Sequence, residues 1–146
     1  MRCLFGLVYF FLAIGCENTS HKKVIATDKA PAAIGPYSQG IQVNHSLYLA
    51  GQIALDPKTG QMVEGGIEVQ TDRVMQNLKA VLNEAGYTLE DVVQAQVFLA
   101  NLDHYKPMNA VYAKYFDDAP PARAVIEAAR IPRDALVEIM IVAEKP

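Results

Sequence analysis

The segment that decides the fold is residues 120–146, PPARAVIEAARIPRDALVEIMIVAEKP. It contains two β-type runs, residues 122–129 and 136–143, which are rich in alanine, valine and isoleucine. Between them, residues 131–134 combine a proline with polar residues, and we predict that they form the loop of a β-hairpin. The two prolines at the start of the segment end any helix that precedes it, because proline cannot continue a helix.

Two charged residues stand out in these strands. Arg123 follows the two prolines, and Glu138 is the only charged side chain in residues 135–143. In a buried strand each charged side chain needs a partner or a ligand, because removing the charge from water costs on the order of several kcal/mol. The two could neutralise each other, but the predicted hairpin places Glu138 opposite Glu127 and leaves Arg123 about 13 Å along the strand, at about 3.3 Å per residue. We therefore favour a pocket that uses the two charges separately or joins them across a subunit boundary.

Arginine and glutamate have complementary uses in a binding site. The planar guanidinium of Arg123 suits a small carboxylate, because it makes two parallel charge-assisted hydrogen bonds. A buried glutamate such as Glu138 can hold a water molecule as a general base. Together the two residues predict hydrolysis of a small acid at the carbon next to its carboxylate.

Upstream of this segment the sequence predicts further strands and helices. Two β-type runs are followed by a helix, a strand and a second helix, and the second run is interrupted by a hairpin turn at Asn44-His45. Gly86 ends the first helix, and Asp103 is the expected N-cap of the second. The resulting order ββαβαββ predicts an α+β fold, a single mixed sheet with two helices on one face. The two β-type runs are residues 23–27 and 41–51, the first helix is 65–86, the strand is 92–100 and the second helix is 103–116.

The last strand predicts that both faces of the sheet are buried. Val137, Ile139 and Ile141 point one way, Met140 and Val142 point the other way, and both faces are mainly apolar. Two helices can cover only one face. We therefore expect the second face to meet another copy of the chain in a closed homo-oligomer.

Composition limits the classes of function. Residues 24–146 have the length of a single domain, which buries about two-thirds of its unfolded surface. The net charge of -3 and the pI near 5.5, without a clustered basic stripe, argue against a nucleic-acid partner. His21, His45 and His104 lie far apart without carboxylate or thiol neighbours at ligand spacing, so we predict no metal site.

The N-terminus has the pattern of an export signal. Residues 1–15 combine a basic start, an uncharged apolar run and a small-residue end, which is typical of a secretory signal peptide. Cys16 stands where a bacterial lipoprotein is cleaved and lipidated, so we predict a periplasmic protein or one anchored to the membrane by lipid. Residues 16–23 would then be a polar tether. The alternatives are a signal peptide without lipidation and an uncleaved apolar extension on a cytoplasmic protein.

A second cluster of candidate residues lies nearer the N-terminus. Residues 33–40, AIGPYSQG, place Tyr37 on a loop stiffened by glycine and proline, and residues 49–53, LAGQI, present the Gly51 backbone beside it. With APAAIGPYSQG, LAGQIALDPKTG, VFLANLDHYKPMNAVYAKYF and PPARAVIEAARIPRDALVEIMIVA in this order and spacing, the chain resembles the RidA family, the reactive intermediate deaminases also called YjgF-like. The resemblance covers about residues 24–146.

The resemblance implies a chorismate-mutase-like fold, a homotrimer and active sites in clefts between subunits. It also implies hydrolysis of 2-imino acids or their enamine tautomers, such as 2-iminobutanoate and 2-iminopropanoate, to 2-oxo acids and ammonia. No metal or organic cofactor takes part in that reaction. Because the usual imine sources are cytosolic pyridoxal-phosphate enzymes, an exported member would have to obtain its substrate elsewhere, for example from an envelope amino-acid oxidase.

The resemblance assigns roles to individual residues. Arg123 would bind the substrate carboxylate, and Glu138, with a main-chain carbonyl near Val125, would direct water at the imine carbon. Tyr37 would close the pocket and hydrogen-bond the nitrogen end of the substrate. The backbone of Gly51 would approach the substrate.

The resemblance leaves several alternatives open. Asn109 matches a further pocket-lining position but could instead make a hydrogen bond at the start of a helix, and Tyr37 could be a loop-packing aromatic. Val125 stands where many deaminases have cysteine, and Ala50 stands where a serine often precedes the glycine. These departures, with the export signal, keep a non-catalytic small-carboxylate binding protein as an alternative. An endoribonuclease or translation inhibitor is a third alternative, which the acidic charge disfavours.

Overall fold

The computed structural model describes residues 22–116 and 119–145. The predicted order of elements is confirmed, with the second β-type run divided at its predicted turn. The strands are β1 (Lys22–Ile25), β2 (Gly40–Val43), β3 (Ser46–Leu49), β4 (Val92–Leu99), β5 (Ala122–Glu127) and β6 (Val137–Glu144), and the helices are α1 (Ile67–Glu84) and α2 (Tyr105–Tyr112). Short 3-10 helices occupy Leu89–Asp91, Leu102–His104, Ala113–Tyr115 and Pro132–Asp134.

The described chain begins inside the predicted tether. Lys22 and Lys23, which the sequence pattern assigns to the tether, form the first half of β1 and pair with β2. The predicted signal in residues 1–15 and the predicted lipidation site Cys16 lie outside the described residues. No helix in the described part of the chain is long and apolar enough to cross a membrane.

The described strands join one mixed sheet in the order β1-β2-β3-β6-β4-β5. Neighbours are antiparallel except for β4 and β5, which are parallel. The predicted hairpin of β5 and β6 is therefore wrong, because β4 lies between them. Glu127 of β5 and Val137 of β6 are both opposite Leu99 of β4. Residues 128–136 cross this end of β4, a distance of about 10 Å at the usual strand spacing, which a tight hairpin turn could not span.

Both helices pack on one face of the sheet, as predicted. Their apolar stripes supply a large part of the core, which also includes Leu47, Val97 and Ile139 from the sheet. The stripes consist of side chains that are more than nine-tenths buried, namely Val74, Leu78, Val81 and Leu82 of α1 and Met108, Val111 and Tyr112 of α2.

The helix ends follow the predicted signals with one exception. α1 begins after Gly66, and Gly86, with a φ of 79°, follows its end, where a residue without a Cβ adopts the left-handed conformation most easily. Asp103 is not an N-cap. The chain first makes the 3-10 turn Leu102–His104, and the side chain of Asn101 accepts a hydrogen bond from the Asp103 backbone N–H at 2.8 Å.

The face of the sheet away from the helices, hereafter the open face, carries exposed apolar side chains. Val24, Tyr48 and Ile126 are 59%, 50% and 52% exposed. Ile126 is opposite Phe98 of β4, and Phe98 is opposite Glu138 of β6, so the charged residue belongs to the same face. An apolar sheet face of this kind is typical of a surface that meets a partner. That a second copy of the chain covers it remains a prediction.

Candidate active site

Glu138 lies on the open face in the middle of the sheet. Its neighbour on β4 is Phe98, which corrects the predicted pairing with Glu127. The side chain is half-buried, and no described lysine, arginine or histidine forms an ion pair with it. Burial raises the pKa of the Glu138 carboxyl above its ordinary value. An unpaired carboxylate with a raised pKa is suited to accept a proton from water.

Gly51 makes room for this carboxylate. The chain after β3 runs beside β6, where Gln52 and Ile139 exchange backbone hydrogen bonds of 2.9 and 3.1 Å. A Cβ on Gly51 would stand only 2.8 Å from the carboxyl carbon of Glu138. The absence of a side chain at Gly51 is therefore a condition for the observed position of Glu138.

Tyr37 is held over the same region by a short irregular loop. Its hydroxyl accepts a hydrogen bond from the Ile34 backbone N–H at 3.2 Å, and its own backbone N–H donates to the Gly35 carbonyl at 2.8 Å. The side chain is 47% exposed. Tyr37, Gly51 and Glu138, which the sequence analysis selected separately, share one cavity of about 300 Å³, hereafter the Glu138 cavity. Its other lining residues are Ile34, Gly35, Ala50, Ile53 and Pro132.

Arg123 lies in a different part of the molecule. It is opposite Ala95 of β4, a fully buried residue on the helix side of the sheet, so its side chain points toward α2. The guanidinium carbon Cζ is 4.5 Å from the centre of the Tyr112 ring and 6.0 Å from that of Tyr105. With Asn109, it lines a cavity of about 490 Å³, hereafter the Arg123 cavity. Its remaining lining residues are Tyr112, Ala113, Phe116, Pro120 and Pro121.

The two cavities do not meet within one protomer. Arg123 faces the helix side, whereas Glu138 faces the open side, because their β4 neighbours Ala95 and Phe98 have opposite orientations. Val125 follows Arg123 on the same side of β5 and is half-buried against the core. One copy of the chain therefore carries the arginine and the carboxylate in two cavities on separate surfaces.

Sequence reasoning missed two buried amides that hold the loops of the Glu138 cavity. The Gln39 side chain accepts from the Thr27 backbone N–H at 2.6 Å and donates to the Ala30 and Pro31 carbonyls at 3.2 and 2.7 Å. Asn77 donates to two carbonyls of the segment after Gly51. For Asn77 a signal existed, since a polar residue interrupts the apolar stripe of α1, but Gln39 lies in an irregular loop that offers none.

The hydrogen bonds donated by Asn77 of α1 fix one wall of the Glu138 cavity. Its side-chain nitrogen is 3.2 Å from the Ile53 carbonyl and 3.0 Å from the Leu55 carbonyl. Ile53 lines the cavity, so a helix residue of the core sets the position of a residue in the site. The amide nitrogen thus holds this irregular backbone at two points, whereas the Asn77 side-chain oxygen has no hydrogen-bond partner among the described residues.

A mixed sheet in this strand order, with two helices on one face and a carboxylate cavity on the other, defines an α+β protein of the chorismate-mutase-like fold. Residues 27–145 match the sequence model of the family described as endoribonuclease L-PSP. The chain therefore belongs to this family, which is the RidA family that the sequence motifs resemble.

Relatives of known name agree with this membership. A RutC family protein of Saccharolobus solfataricus is 52% identical over 124 residues, which cover 85% of this chain and 98% of the relative. The 2-iminobutanoate/2-iminopropanoate deaminase of Mus musculus is 43% identical over 122 residues, which cover 84% of this chain and 90% of the relative. Among solved structures, E. coli TdcF with bound serine has a TM-score of 0.82 and 33% identity, and the match covers 85% of this chain and 99% of that one.

Proposed function

We propose that this protein is a deaminase that hydrolyses small 2-imino acids, such as 2-iminobutanoate and 2-iminopropanoate, to 2-oxo acids and ammonia. The observation that carries the proposal is the unpaired Glu138 carboxylate, whose pKa is raised by burial, in a cavity that depends on Gly51. The deaminase of Mus musculus, which matches over most of both chains, supports the same reaction. The reaction replaces a C=N bond with C=O and needs only water as its second substrate.

The site is completed when two copies of the chain meet. Support comes from the separation of the Arg123 and Glu138 cavities within one protomer and from the exposed apolar side chains of the open face. A closed trimer would bring the Arg123 cavity of one subunit against the Glu138 cavity of the next. A small substrate could then contact both charges at once.

Each site residue has a separate task in this mechanism. Arg123 binds the substrate carboxylate through its N–H donors. Glu138, helped by a main-chain carbonyl near Val125, holds the water that attacks the imine carbon and takes its proton. The first proton passes to the imine nitrogen and gives a carbinolamine. Glu138 then transfers the proton of the carbinolamine hydroxyl to the nitrogen, so that C=O forms as the C–N bond breaks and ammonia leaves. Tyr37 closes the pocket and hydrogen-bonds the nitrogen.

Two further residues shape the pocket around the substrate. The backbone of Gly51 approaches the substrate beside Glu138, and Asn109 lines the cavity next to Arg123. Ala50 carries no hydroxyl, which makes this wall apolar. The walls formed by Ile34 and Ile53 suit a short aliphatic side chain.

The test is release of 2-oxo acid from freshly generated 2-iminobutanoate, measured against its spontaneous hydrolysis. We expect acceleration by the full chain and its loss, by at least about a hundredfold, in Arg123→Ala, because an unbound carboxylate leaves the imine unpositioned. Arg130→Ala is the matched control, since Arg130 is exposed and paired with Asp134. A wild-type rate equal to that of Arg123→Ala would reject the deaminase.

A binding protein without catalysis is the second candidate. Val125 and Ala50 motivate it, because both replace side chains that are frequent in deaminases with apolar ones. Calorimetric binding of 2-oxobutanoate without any acceleration of imine hydrolysis would favour it over the enzyme. RNA is a weaker candidate, since the net charge of -3 provides no general attraction for phosphates. Degradation of RNA by the purified oligomer would be needed to support it.

We also infer that the protein is exported and lipidated at Cys16, from the apolar run of residues 1–15 and the cysteine that follows it. Cell fractionation with a mass measurement of the N-terminus tests this inference. Mature protein that begins at lipidated Cys16 in the membrane fraction is the expected result. An intact Met1 on protein from the cytoplasm would contradict it.

A further inference from the structure

Among the described residues, Arg123 lies against aromatic rings and not against a carboxylate. Within residues 22–116 and 119–145, no aspartate or glutamate lies within ion-pair distance of its guanidinium. Its positive charge lies instead against Tyr112, at 4.5 Å, and near Tyr105, at 6.0 Å. A cation over an aromatic ring within about 6 Å is attracted by the negative face of the ring.

The two tyrosines belong to one surface of α2. Tyr105, Asn109 and Tyr112 are spaced by four and three residues, which places them on the same side of a helix. Behind Tyr112, the ring of Phe116 packs with a centroid distance of 4.8 Å. The ring closest to Arg123 is therefore held in place by its own neighbours.

The ring of Tyr112 is the part that lies against the Arg123 guanidinium. The side chain is only 5% exposed, and its hydroxyl has no hydrogen-bond partner among the described residues. Burial raises the pKa of Tyr112 to about 12, although both the charge of Arg123 and the polar contact with its side chain oppose the rise. The tyrosine is therefore neutral at ordinary pH and does not neutralise Arg123.

We propose that Tyr112, assisted by Tyr105, is an aromatic clamp that positions the Arg123 guanidinium for the carboxylate of the substrate. This inference rests on the proposed function, in which Arg123 binds that carboxylate. A carboxylate partner in the protein would occupy the N–H donors of Arg123 and compete with the substrate. Aromatic rings stabilise the cation while its charge stays available. Tyr105 and Tyr112 are thus positioning residues, since neither needs to touch the reacting atoms.

The experiment measures binding of 2-oxobutanoate by calorimetry and the steady-state kinetics of imine hydrolysis. Tyr112→Leu removes the ring, and we expect the Kd and the KM to rise about tenfold, with kcat changed less than about threefold, because the Glu138 cavity stays intact. Tyr112→Phe keeps the ring and should retain affinity within about threefold of the wild type. A loss in Tyr112→Phe equal to that in Tyr112→Leu would overturn the assignment to the ring.

A second variant guards against loss of folding at the buried Tyr112. Tyr105 is 44% exposed, so Tyr105→Leu should fold normally and still raise the Kd by about twofold to fivefold. Tyr87→Leu is the matched control. Its ring is equally buried and receives the Lys145 ammonium at 5.2 Å, far from Arg123 in the fold, so its loss should leave the Kd unchanged. An equal rise in Tyr87→Leu would indicate a general structural effect and overturn the clamp.

The Arg123→Ala background separates the clamp from the proposed function. If the clamp acts through Arg123, Tyr112→Leu should have no further effect on the Kd once Arg123 is alanine. If Arg123→Ala itself binds 2-oxobutanoate like the wild type, the proposed carboxylate site is wrong. If Arg123→Ala weakens binding but Tyr112→Leu and Tyr105→Leu do not, only the clamp is wrong.

Discussion

At the scale of single residues, the ionised carboxylate of Glu138 lowers the stability of the fold and also serves as the base of the proposed reaction. The carboxylate is half-buried on the open face with no described ion-pair partner, and burial raises its pKa. Because the folded chain holds this proton more readily than the unfolded chain does, the free energy of unfolding falls as pH rises from below about 4.5 through the raised pKa. The ionised form that the proposed reaction needs is therefore the form that destabilises the fold.

Glu138→Gln should separate these two effects. We expect a higher melting temperature than that of the wild type at pH 7, because the charge is gone. The difference should shrink as pH falls through the raised pKa of Glu138 and should be nearly lost below about 4.5. Imine hydrolysis should fall about a hundredfold or more, since no base remains. In the wild type, kcat/KM, which reports the free protein, should decline on the acid side with an apparent pKa above that of an ordinary glutamate. Melting curves and kcat/KM against pH provide the measurements.

The control for this substitution is Glu144→Gln, an exposed glutamate at the end of the same strand. It should change neither the rate of hydrolysis nor its pH dependence. A Glu138→Gln protein that is less stable at pH 7 and fully active would contradict both the burial argument and the assignment of the base.

The sequence predicted the residues that line the Glu138 cavity better than it predicted the residues that hold the surrounding loops in place. Tyr37, Gly51 and Glu138 were selected from motifs, and the structure brings all three to one cavity. Gln39 was not selected, because its value depends on backbone carbonyls that converge only after the loop has folded. Tyr112 is a buried core residue, but its contact with Arg123 depends on the angle between α2 and β5, which local sequence patterns do not reveal.

At the scale of secondary structure elements, the sequence predicted which elements form but not how they all pair. Periodicity and turn residues are local signals, and they predicted the β2–β3 hairpin at Asn44, whose φ is 53°. The pairing of β5 with β4 and of β4 with β6 depends on contacts between distant parts of the chain. The position of β4 between β5 and β6 produces no recognisable pattern in the residues that connect these two strands. This is why the β5–β6 hairpin was predicted wrongly.

Gly51 lies in the segment after β3 that pairs with β6, and its substitution tests the contact between this segment and Glu138. Gly51→Ala would introduce a Cβ 2.8 Å from the Glu138 carboxyl carbon. The end of a glutamate side chain can rotate away, so we expect the melting temperature to change little. The displaced carboxylate should lower kcat/KM about a hundredfold, because a shift of about 1 Å can have this effect in a positioned site. Melting curves and imine kinetics measure both quantities.

Gly66→Ala is the matched control for Gly51→Ala. It also adds a methyl group beside a glutamate carboxylate, but at an ordinary contact distance of 3.6 Å from Glu68 and away from both cavities. It should leave kcat/KM unchanged. An active Gly51→Ala protein would indicate that Glu138 does not need its present position.

At the scale of the whole molecule, the alternation of side chains along a strand divides the candidate site. Successive residues of a strand point to opposite faces, and Arg123 and Glu138 are aligned with β4 residues of opposite orientation, Ala95 and Phe98. No movement of one side chain brings the two charges together through a packed sheet. If both act on one substrate, the second charge has to come from another copy of the chain.

Mixing two inactive variants tests this requirement. Arg123→Ala and Glu138→Gln should each be inactive alone. In trimers assembled from equal amounts of the two, an interface is intact when the wild-type Arg123 of one subunit meets the wild-type Glu138 of the next. Every trimer that contains both variants has one intact interface of its three, so the mixed trimers should have about one third of the wild-type activity. Co-expression with two different affinity tags isolates the mixed trimers for the imine assay.

The control is a mixture of the two variants after separate assembly without exchange, which should stay inactive. Mixed trimers that are as inactive as the single variants would contradict a site shared between subunits, because a site within one protomer always contains one of the two substitutions.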